Sequence, residues 1–330
     1  MIACFVRRLL AMSALLAALG IALPCAAQVD NYPSRPIRLI VPFAPGGATD
    51  ITGRLMAGQL SARLGQPVVV ENRAGANTAI GAEVVARAAP DGYTLLFSND
   101  QTFVLNVVLF QKLAYDMVRD FAPVASSSYL PLTLAVASTL PANSVGELID
   151  YVKARRGQLS YGSYGVGSQA HIMGEMFKVL TATDLAHVAY KGSAPAVADV
   201  LGGQVLFTFP GIPTIQGFIA NGRIKVLALS GAARNPLLPT VPTFAEAGLP
   251  DMDIGAWYGF VAPAATPADV IGKLSQAVAS ILSDREFVEK SLIAAGMVPL
   301  QMGPEQFSAF MRSETDRMRS IIRKSGAKVE

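Results

Sequence analysis

The sequence predicts an α/β protein whose two lobes face each other across a ligand cleft. Short apolar runs of strand length alternate with helical patterns along the chain, as in layered domains with parallel sheets. Two Gly-rich segments, 42–50 and 162–168, each lie between a predicted strand and a predicted helix, one in each half. Such turns expose backbone N–H groups at the positive end of a helix, which suits a bound anion. The sequence therefore predicts an anion enclosed from two sides.

Composition and charge exclude several classes of protein. The chain has 330 residues, of which 52% are hydrophobic and 15% charged, so it can bury large cores and is not disordered. Its formal net charge is +3, and without two arginines in the predicted leader 25 basic residues face 24 acidic ones. This balance argues against nucleic-acid binding. A small molecule is the expected partner.

Residues 1–27 are predicted to be a cleaved signal peptide. Two arginines precede the apolar run Leu9–Leu23, and small residues follow it up to Ala27. A membrane anchor is the alternative, but the run is short for a bilayer. Both cysteines, Cys4 and Cys25, fall in this segment, so the mature chain is expected to have neither disulfides nor thiolate metal sites.

The first half of the chain reads as strand–helix–strand–helix–strand. Strand Ile37–Val41 leads through the first Gly-rich segment into a helix that ends at Gly65. A strand over 67–72, a helix over 79–89 and a strand over 93–97 follow. This order predicts parallel strands with ligands beyond their carboxyl ends, where Asn99 lies.

The second half of the chain repeats this arrangement, and the chain then returns to the first domain. Residues 121–137 are predicted to be an extended segment that crosses between domains, and 144–156 a helix with a capping box. The next predicted elements are strand 159–161, helix 169–180, strand 185–190, helix 196–203 and strands 205–209 and 225–230. The last are a returning strand at 255–261 and helices at 267–282, 284–295 and 304–324.

No catalytic or metal-binding group can be assembled from the motifs. The chain has two histidines, His171 and His187, and no nucleophile elbow surrounds Ser163 or Ser168. The prediction is therefore no catalytic residue, no metal and no cofactor, although a secreted hydrolase that uses His171 with Ser163 or Ser168 is kept as an alternative. Asp50 is assigned to loop geometry, because its carboxylate would repel an anionic ligand.

Six motifs resemble, in order and spacing, those of the tripartite tricarboxylate transporter solute-binding receptors, also called Bug proteins. They are RLIVPFAPGGATD (38–50), ENRAGANTAIGAEVVA (71–86), PDGYTLL (90–96), LSYGSYGVGSQAHIMGEMF (159–177), VAYKGSAPAVADVLGGQV (188–205) and PLLPTVPTFAEAGLPDMDIGAWYGFVAPAATP (236–267). Together they cover nearly the whole mature chain.

The resemblance implies a type II periplasmic-binding-protein fold, with lobe 1 formed by residues 28–125 and 250–330 and lobe 2 by residues 126–249. It also implies a monomeric periplasmic receptor that binds a small organic carboxylate and passes it to membrane permease subunits. A ligand sensor for a membrane signalling partner is the alternative that this chain alone does not separate from a receptor.

The resemblance further implies which residues surround the ligand carboxylate. The first loop would contribute Phe43, Ala44, Gly46, Gly47, Ala48, Thr49 and Asp50. The second would contribute Ser163, Gly165, Gly167, Ser168 and His171, with Tyr190, Lys191, Gly192 and Asn99 nearby. The chain departs from the family at Leu206 and Pro210, where many members carry acidic residues, and this departure predicts a ligand with an apolar or aromatic tail.

Overall fold

The helices and strands follow the predicted order through most of the chain. The computed structural model describes residues 31–327, so the predicted leader lies outside the described residues. All the elements below belong to one compact unit that begins at Pro33. None of the helices within 31–327 is both long enough and apolar enough to cross a bilayer.

Eleven strands are present among the described residues. They are β1 (Ile37–Val41), β2 (Val68–Asn72), β3 (Thr94–Asn99), β4 (Phe121–Leu130), β5 (Thr133–Ala137), β6 (Ser160–Ser163), β7 (Ala186–Ala189), β8 (Phe207–Thr208), β9 (Ile224–Leu229), β10 (Ala256–Pro263) and β11 (Val298–Pro299). The α-helices are α1 (Ala48–Leu64), α2 (Ala79–Ala86), α3 (Asn106–Leu109), α4 (Val145–Lys153), α5 (Gln169–Thr181), α6 (Ser193–Leu201), α7 (Ile212–Ala220), α8 (Ala268–Leu282), α9 (Arg285–Phe287) and α10 (Pro304–Ser325).

The strands form two separate sheets. The six-stranded sheet has the order β11-β4-β10-β3-β1-β2, and the five-stranded sheet the order β7-β6-β8-β5-β9. In the first, β1 pairs in parallel with both β2 and β3, as the sequence predicts. In the second, β6 pairs in parallel with β7 and β8. The carboxyl ends of these parallel strands therefore gather at one edge of each sheet.

The chain crosses between the sheets twice. The first crossing lies between Leu130, the end of β4, and Thr133, the start of β5, and the second between β9 and β10. The expected lobe boundary at residues 125 and 126 falls inside β4, five residues before that strand ends. A polar contact links the two crossings. Tyr129, next to the first crossing, places its Oη 3.1 Å from Ser230 Oγ and 3.3 Å from an Asp253 carboxylate oxygen, both in the second crossing.

Three helical regions differ from the sequence prediction, and one of them is α7, which forms where no element was predicted. The segment after β3, for which no element was predicted, forms a π-helical turn at Gln101–Leu105 that continues into α3. Residues 284–295, predicted as one helix, form the single turn α9 followed by a π-helical and a 3₁₀ turn. The 3₁₀ turn ends at Gly296 in the left-handed conformation, a common way for a helix to tighten and stop.

Candidate ligand-binding cleft

The two Gly-rich segments form the predicted strand–loop–helix turns. The first loop joins the end of β1 at Val41 to α1, and the second joins the end of β6 at Ser163 to α5. The first belongs to the six-stranded sheet and the second to the five-stranded one. Each loop thus presents a helix N-terminus at the edge where parallel strands end.

Asp50 shapes the first loop. Its carboxylate is 3% exposed and accepts hydrogen bonds from the Gly46 amide (2.9 Å) and the Asn72 side chain (2.8 Å), and it pairs with Arg54 at 3.0 Å. Burial alone raises the pKa of Asp50, but the hydrogen bonds from Arg54, Gly46 and Asn72 more than offset this and lower it. The Gly46 amide is therefore engaged within the loop.

The first turn of α1 has backbone donors that the protein does not use. Within residues 31–327, the amides of Gly47, Ala48 and Thr49 form no hydrogen bond, and the first helical bond is donated by Ile51 to Gly47. Helix N-termini leave such donors unpaired by construction, so this turn can accept an anion.

The second loop is fixed by side chains behind it. Gly167 donates its amide hydrogen to His171 Nδ1 at 3.1 Å, and Gly165 donates to Ser163 Oγ at 3.2 Å. Ser168 Oγ caps α5 by accepting the His171 amide at 3.3 Å and donates to the Gly165 carbonyl at 2.6 Å. The predicted residues of this loop are thus bonded largely to one another.

Two stacked histidines support the second loop. The rings of His171 and His187 lie 4.2 Å apart, and His187 Nε2 lies 2.6 Å from Ser163 Oγ. Burial lowers the pKa of His171, and burial together with its neighbour His171 lowers the pKa of His187 to about 4. Both rings are therefore neutral at pH 7, as the acceptor role of His171 Nδ1 requires.

The hydrolase arrangement considered from the sequence is not formed. Ser163 is fully buried and contacts His187 instead of His171. Ser168 meets His171 only through the backbone amide of that histidine. Among the described residues, no group of three or more metal-ligating side chains is close enough to hold an ion.

A cavity of about 280 Å³ opens between the two loops. Five predicted residues line it: Phe43, Ala44, Asn99, Gly165 and Ser168. Nine further lining residues escaped sequence reasoning: Pro42, Ala74, Gly75, Asn77, Thr78, Gln101, Tyr164, Val166 and Gln169. None of these fourteen side chains carries a formal charge. The segment 74–78 follows β2, so the parallel order of β1, β2 and β3 was a signal that could have found it.

The other predicted residues do not line this cavity. They are Gly46, Gly47, Ala48, Thr49, Asp50, Ser163, Gly167, His171, Tyr190, Lys191 and Gly192. Tyr190 Oη donates to Asp199 at 2.6 Å, and burial and this carboxylate raise the pKa of Tyr190 to about 12. Lys191 is exposed, and Gly192 precedes α6 with a φ of 134°.

The two positions at which the chain departs from its family lie away from the cavity. Leu206 borders a different groove, together with Tyr151 and Gln204. Its amide donates to the carbonyl of Ser160, the first residue of β6, whereas the second loop follows the last residue of that strand. Pro210 is buried, and its carbonyl accepts two hydrogen bonds from Thr133. Because neither position lines the cavity, they do not support the prediction of an apolar-tailed ligand. The residues that line the cavity are used instead to infer the ligand.

A buried carboxyl group joins the two halves of the cleft. Asp100 follows β3, and the Gln169 side-chain amide donates to both of its oxygens at 2.9 and 3.1 Å. Asp100 is 4% exposed and Gln169 3%. Burial and the nearby charge of Glu314 raise the pKa of Asp100 to about 8, against a lowering by Gln169. The raised pKa favours the protonated form of Asp100 at neutral pH.

Comparison with known proteins places these features in a family. Residues 52–327 match the sequence profile described as tripartite tricarboxylate transporter family receptor. The chain is 38% identical over 316 residues to the protein BugT of Bordetella pertussis, a match that covers 96% of each chain.

Two solved structures of relatives are similar and contain carboxylates. A Rhodopseudomonas palustris protein with adipate is 34% identical, with a TM-score of 0.84 over 91% of this chain and 100% of that one. MatC from the same organism, with bound malate, is 33% identical, with a TM-score of 0.78 over 88% of this chain and 100% of that one. The chain has the two-lobed fold of periplasmic solute-binding proteins and belongs to the tripartite tricarboxylate transporter family of receptors, which bind solutes and are not enzymes.

Proposed function

We propose that this protein captures a small carboxylate between its two lobes, outside the cytoplasm, and delivers it to a tripartite tricarboxylate-type membrane transporter. The observation that carries the proposal is the cavity between the loop after β1 and the loop after β6, one from each sheet. The relatives with adipate and malate support a carboxylate as the ligand class.

Backbone amides hold the carboxylate in this proposal. The unpaired donors of Gly47, Ala48 and Thr49 lie at the positive end of α1, in the same loop as Phe43 and Ala44, which line the cavity. No cationic side chain lines the cavity. Hydrogen bonds to a charged acceptor are stronger than neutral ones, so a few oriented amides suffice for capture. The predicted site residues of both loops then act in two ways, as direct donors or as supports that fix the loop shape.

Calorimetric titration with mono- and dicarboxylates, adipate and malate among them, tests ligand capture. The methyl ester of each acid is the matched control, because it keeps the shape and removes the charge. We expect saturable binding of at least one acid and loss of that binding in its ester. Equal binding of acid and ester, or no binding of any acid, would contradict the proposal.

Delivery and location need separate measurements. We expect the mature chain in a periplasmic fraction to begin at Gln28, the residue after the predicted leader, and to be monomeric in light scattering. Uptake of labelled ligand into cells that carry the permease subunits should require this receptor. If the ligand instead changes the output of a membrane kinase and leaves uptake unaltered, the protein serves as a sensor.

A further inference from the structure

The carboxamide of Gln101 presents its oxygen to the cavity, and a chain of hydrogen bonds fixes this orientation. The Asn77 backbone carbonyl can only accept, so the Asn106 Nδ2 group must face it. Tyr115 Oη donates to the Thr102 carbonyl at 2.7 Å and so is left to accept from the same Nδ2 at 3.2 Å. Both contacts place the NH₂ end of Asn106 away from Gln101.

The relay continues from Asn106 to the cavity. Because the Nδ2 group of Asn106 is engaged, its Oδ1 accepts from Gln101 Nε2 at 2.9 Å. Gln101 Oε1 forms no hydrogen bond within residues 31–327 and is not sealed from the cavity that Gln101 lines. The amide that lines this part of the cavity is thus an oriented acceptor.

Asn99 offers the complementary donor beside it. Its Oδ1 accepts from the Gln101 backbone amide at 3.2 Å, and a backbone N–H can only donate. The Asn99 NH₂ group is therefore left for the cavity, with no partner among the described residues. The Asn99 NH₂ group is thus an oriented donor and Gln101 Oε1 an oriented acceptor, two residues apart in the sequence. The lining around them carries no formal charge.

We propose that Gln101 and Asn99 select a ligand whose second polar group is neutral and both donates and accepts hydrogen bonds, above all a carboxamide. This inference rests on the proposed function, which supplies the carboxylate at the other end of the ligand. A second carboxylate would face Gln101 Oε1 with no compensating charge, and a ketone would leave that acceptor unpaired. An ammonium group would meet no carboxylate in the lining.

Three ligands of one shape test the selection. Succinamate, 4-oxopentanoate and succinate share a carboxylate and differ at the far end in NH₂, CH₃ and O⁻. The glutaryl series, one carbon longer, provides the same three choices. We expect the amide of at least one series to bind about tenfold or more tightly than the ketone and the dicarboxylate of that series. The factor of ten corresponds to the cost of leaving one buried polar group unsatisfied.

A substitution locates the preference at Gln101. Gln101→Met keeps the length and removes both polar atoms, and we expect it to reduce the amide preference to within about threefold. Gln204→Met, on the exposed groove away from the cavity, is the matched control and should keep the wild-type ratios. If Gln101→Met does not fold, the ranking of the ligands by the wild-type protein still decides.

The outcomes separate the inference from the proposed function. Equal or tighter binding of succinate or 4-oxopentanoate overturns the inference and leaves a carboxylate receptor. Binding of other carboxylates with none of the six also overturns it. Failure of every carboxylate to bind overturns the proposed function itself. An amide preference that Gln101→Met leaves intact shows that another residue makes the selection.

Discussion

Gln169 donates a hydrogen bond to Asp100 from the opposite sheet of the protein, and both side chains are almost completely buried. Gln169 is the first residue of α5, directly after the second loop, whereas Asp100 follows β3 of the six-stranded sheet. The contact therefore ties the second loop to the framework of the first. Its strength depends on the protonation of a carboxyl group whose pKa is raised to about 8.

Asp100 should make folding stability fall as pH rises. Its pKa is 3.8 in an ordinary environment and about 8 in the folded protein, so between these values the folded state keeps a proton that the unfolded chain has released. Each pH unit in this window costs at most about 1.4 kcal/mol. Urea unfolding at pH 5 and pH 7 should show a larger loss in the wild type than in Asp100→Asn. Parallel losses would contradict the raised pKa.

Ala48→Pro should weaken carboxylate binding without harming the fold. Ala48 is the first residue of α1, a position that favours proline, and Gly47 before it has the extended ψ of 168° that proline tolerates. The substitution removes one unpaired N–H group, so we expect a loss of about 1.5–3 kcal/mol in binding. Calorimetry measures the affinity, and thermal melting measures the fold.

Ala48→Ser is the control for this change, because serine keeps the amide hydrogen. We expect its affinity for the carboxylate to stay within about threefold of the wild type, which corresponds to less than about 0.7 kcal/mol. Unchanged affinity in Ala48→Pro would remove this amide from the site.

His171→Ala should weaken ligand binding by about tenfold. The substitution leaves the Gly167 amide without the acceptor at His171 Nδ1, and an unsatisfied buried donor costs the loop about 1–3 kcal/mol. We expect the second loop to leave its present shape as a result, so that the ligand must restore that shape when it binds. His171→Asn places an oxygen near the position of Nδ1 and should retain most of the affinity. Titration of both variants with one carboxylate provides the comparison, and equal losses would show that the histidine acts through packing alone.

Gly174→Ala and Gly58→Ala should have opposite effects although both lie inside helices. A Cβ atom at Gly174 would overlap the Tyr161 ring, which is held by a 2.8 Å bond to Glu175, so we expect a loss of about 1–3 kcal/mol. Gly58 has open space around it, and alanine there should add up to about 1 kcal/mol. Urea unfolding of the two variants measures both signs.

The framework of the cleft follows from local sequence signals. Ile37–Val41 and the glycines after it can be recognised as a strand and a turn, because alternation, proline and glycine act over a few residues. The capping of α5 by Ser168 is equally local. For these reasons the two loops and the parallel order of β1, β2 and β3 could be predicted.

The lining of the cavity depends on contacts between distant segments, which no local pattern reports. Gln101 lies in QTFVLNVVLF, a run without clear periodicity, and its orientation depends on Asn106 and on the carbonyl of Asn77. The resemblance implies that His171 lies beside the ligand, but its ring stacks on His187 of β7 and does not line the cavity. Tertiary packing decides such positions.

No residue among the fourteen around the cavity bears a formal charge. Attraction between ions in water is screened within about 8 Å at physiological ionic strength, whereas peptide dipoles in contact with a ligand are screened far less. Dissolved salt therefore weakens the interaction between a carboxylate and backbone amides only slightly. The ligand affinity of such a receptor is therefore expected to stay nearly constant over a wide range of salt concentrations.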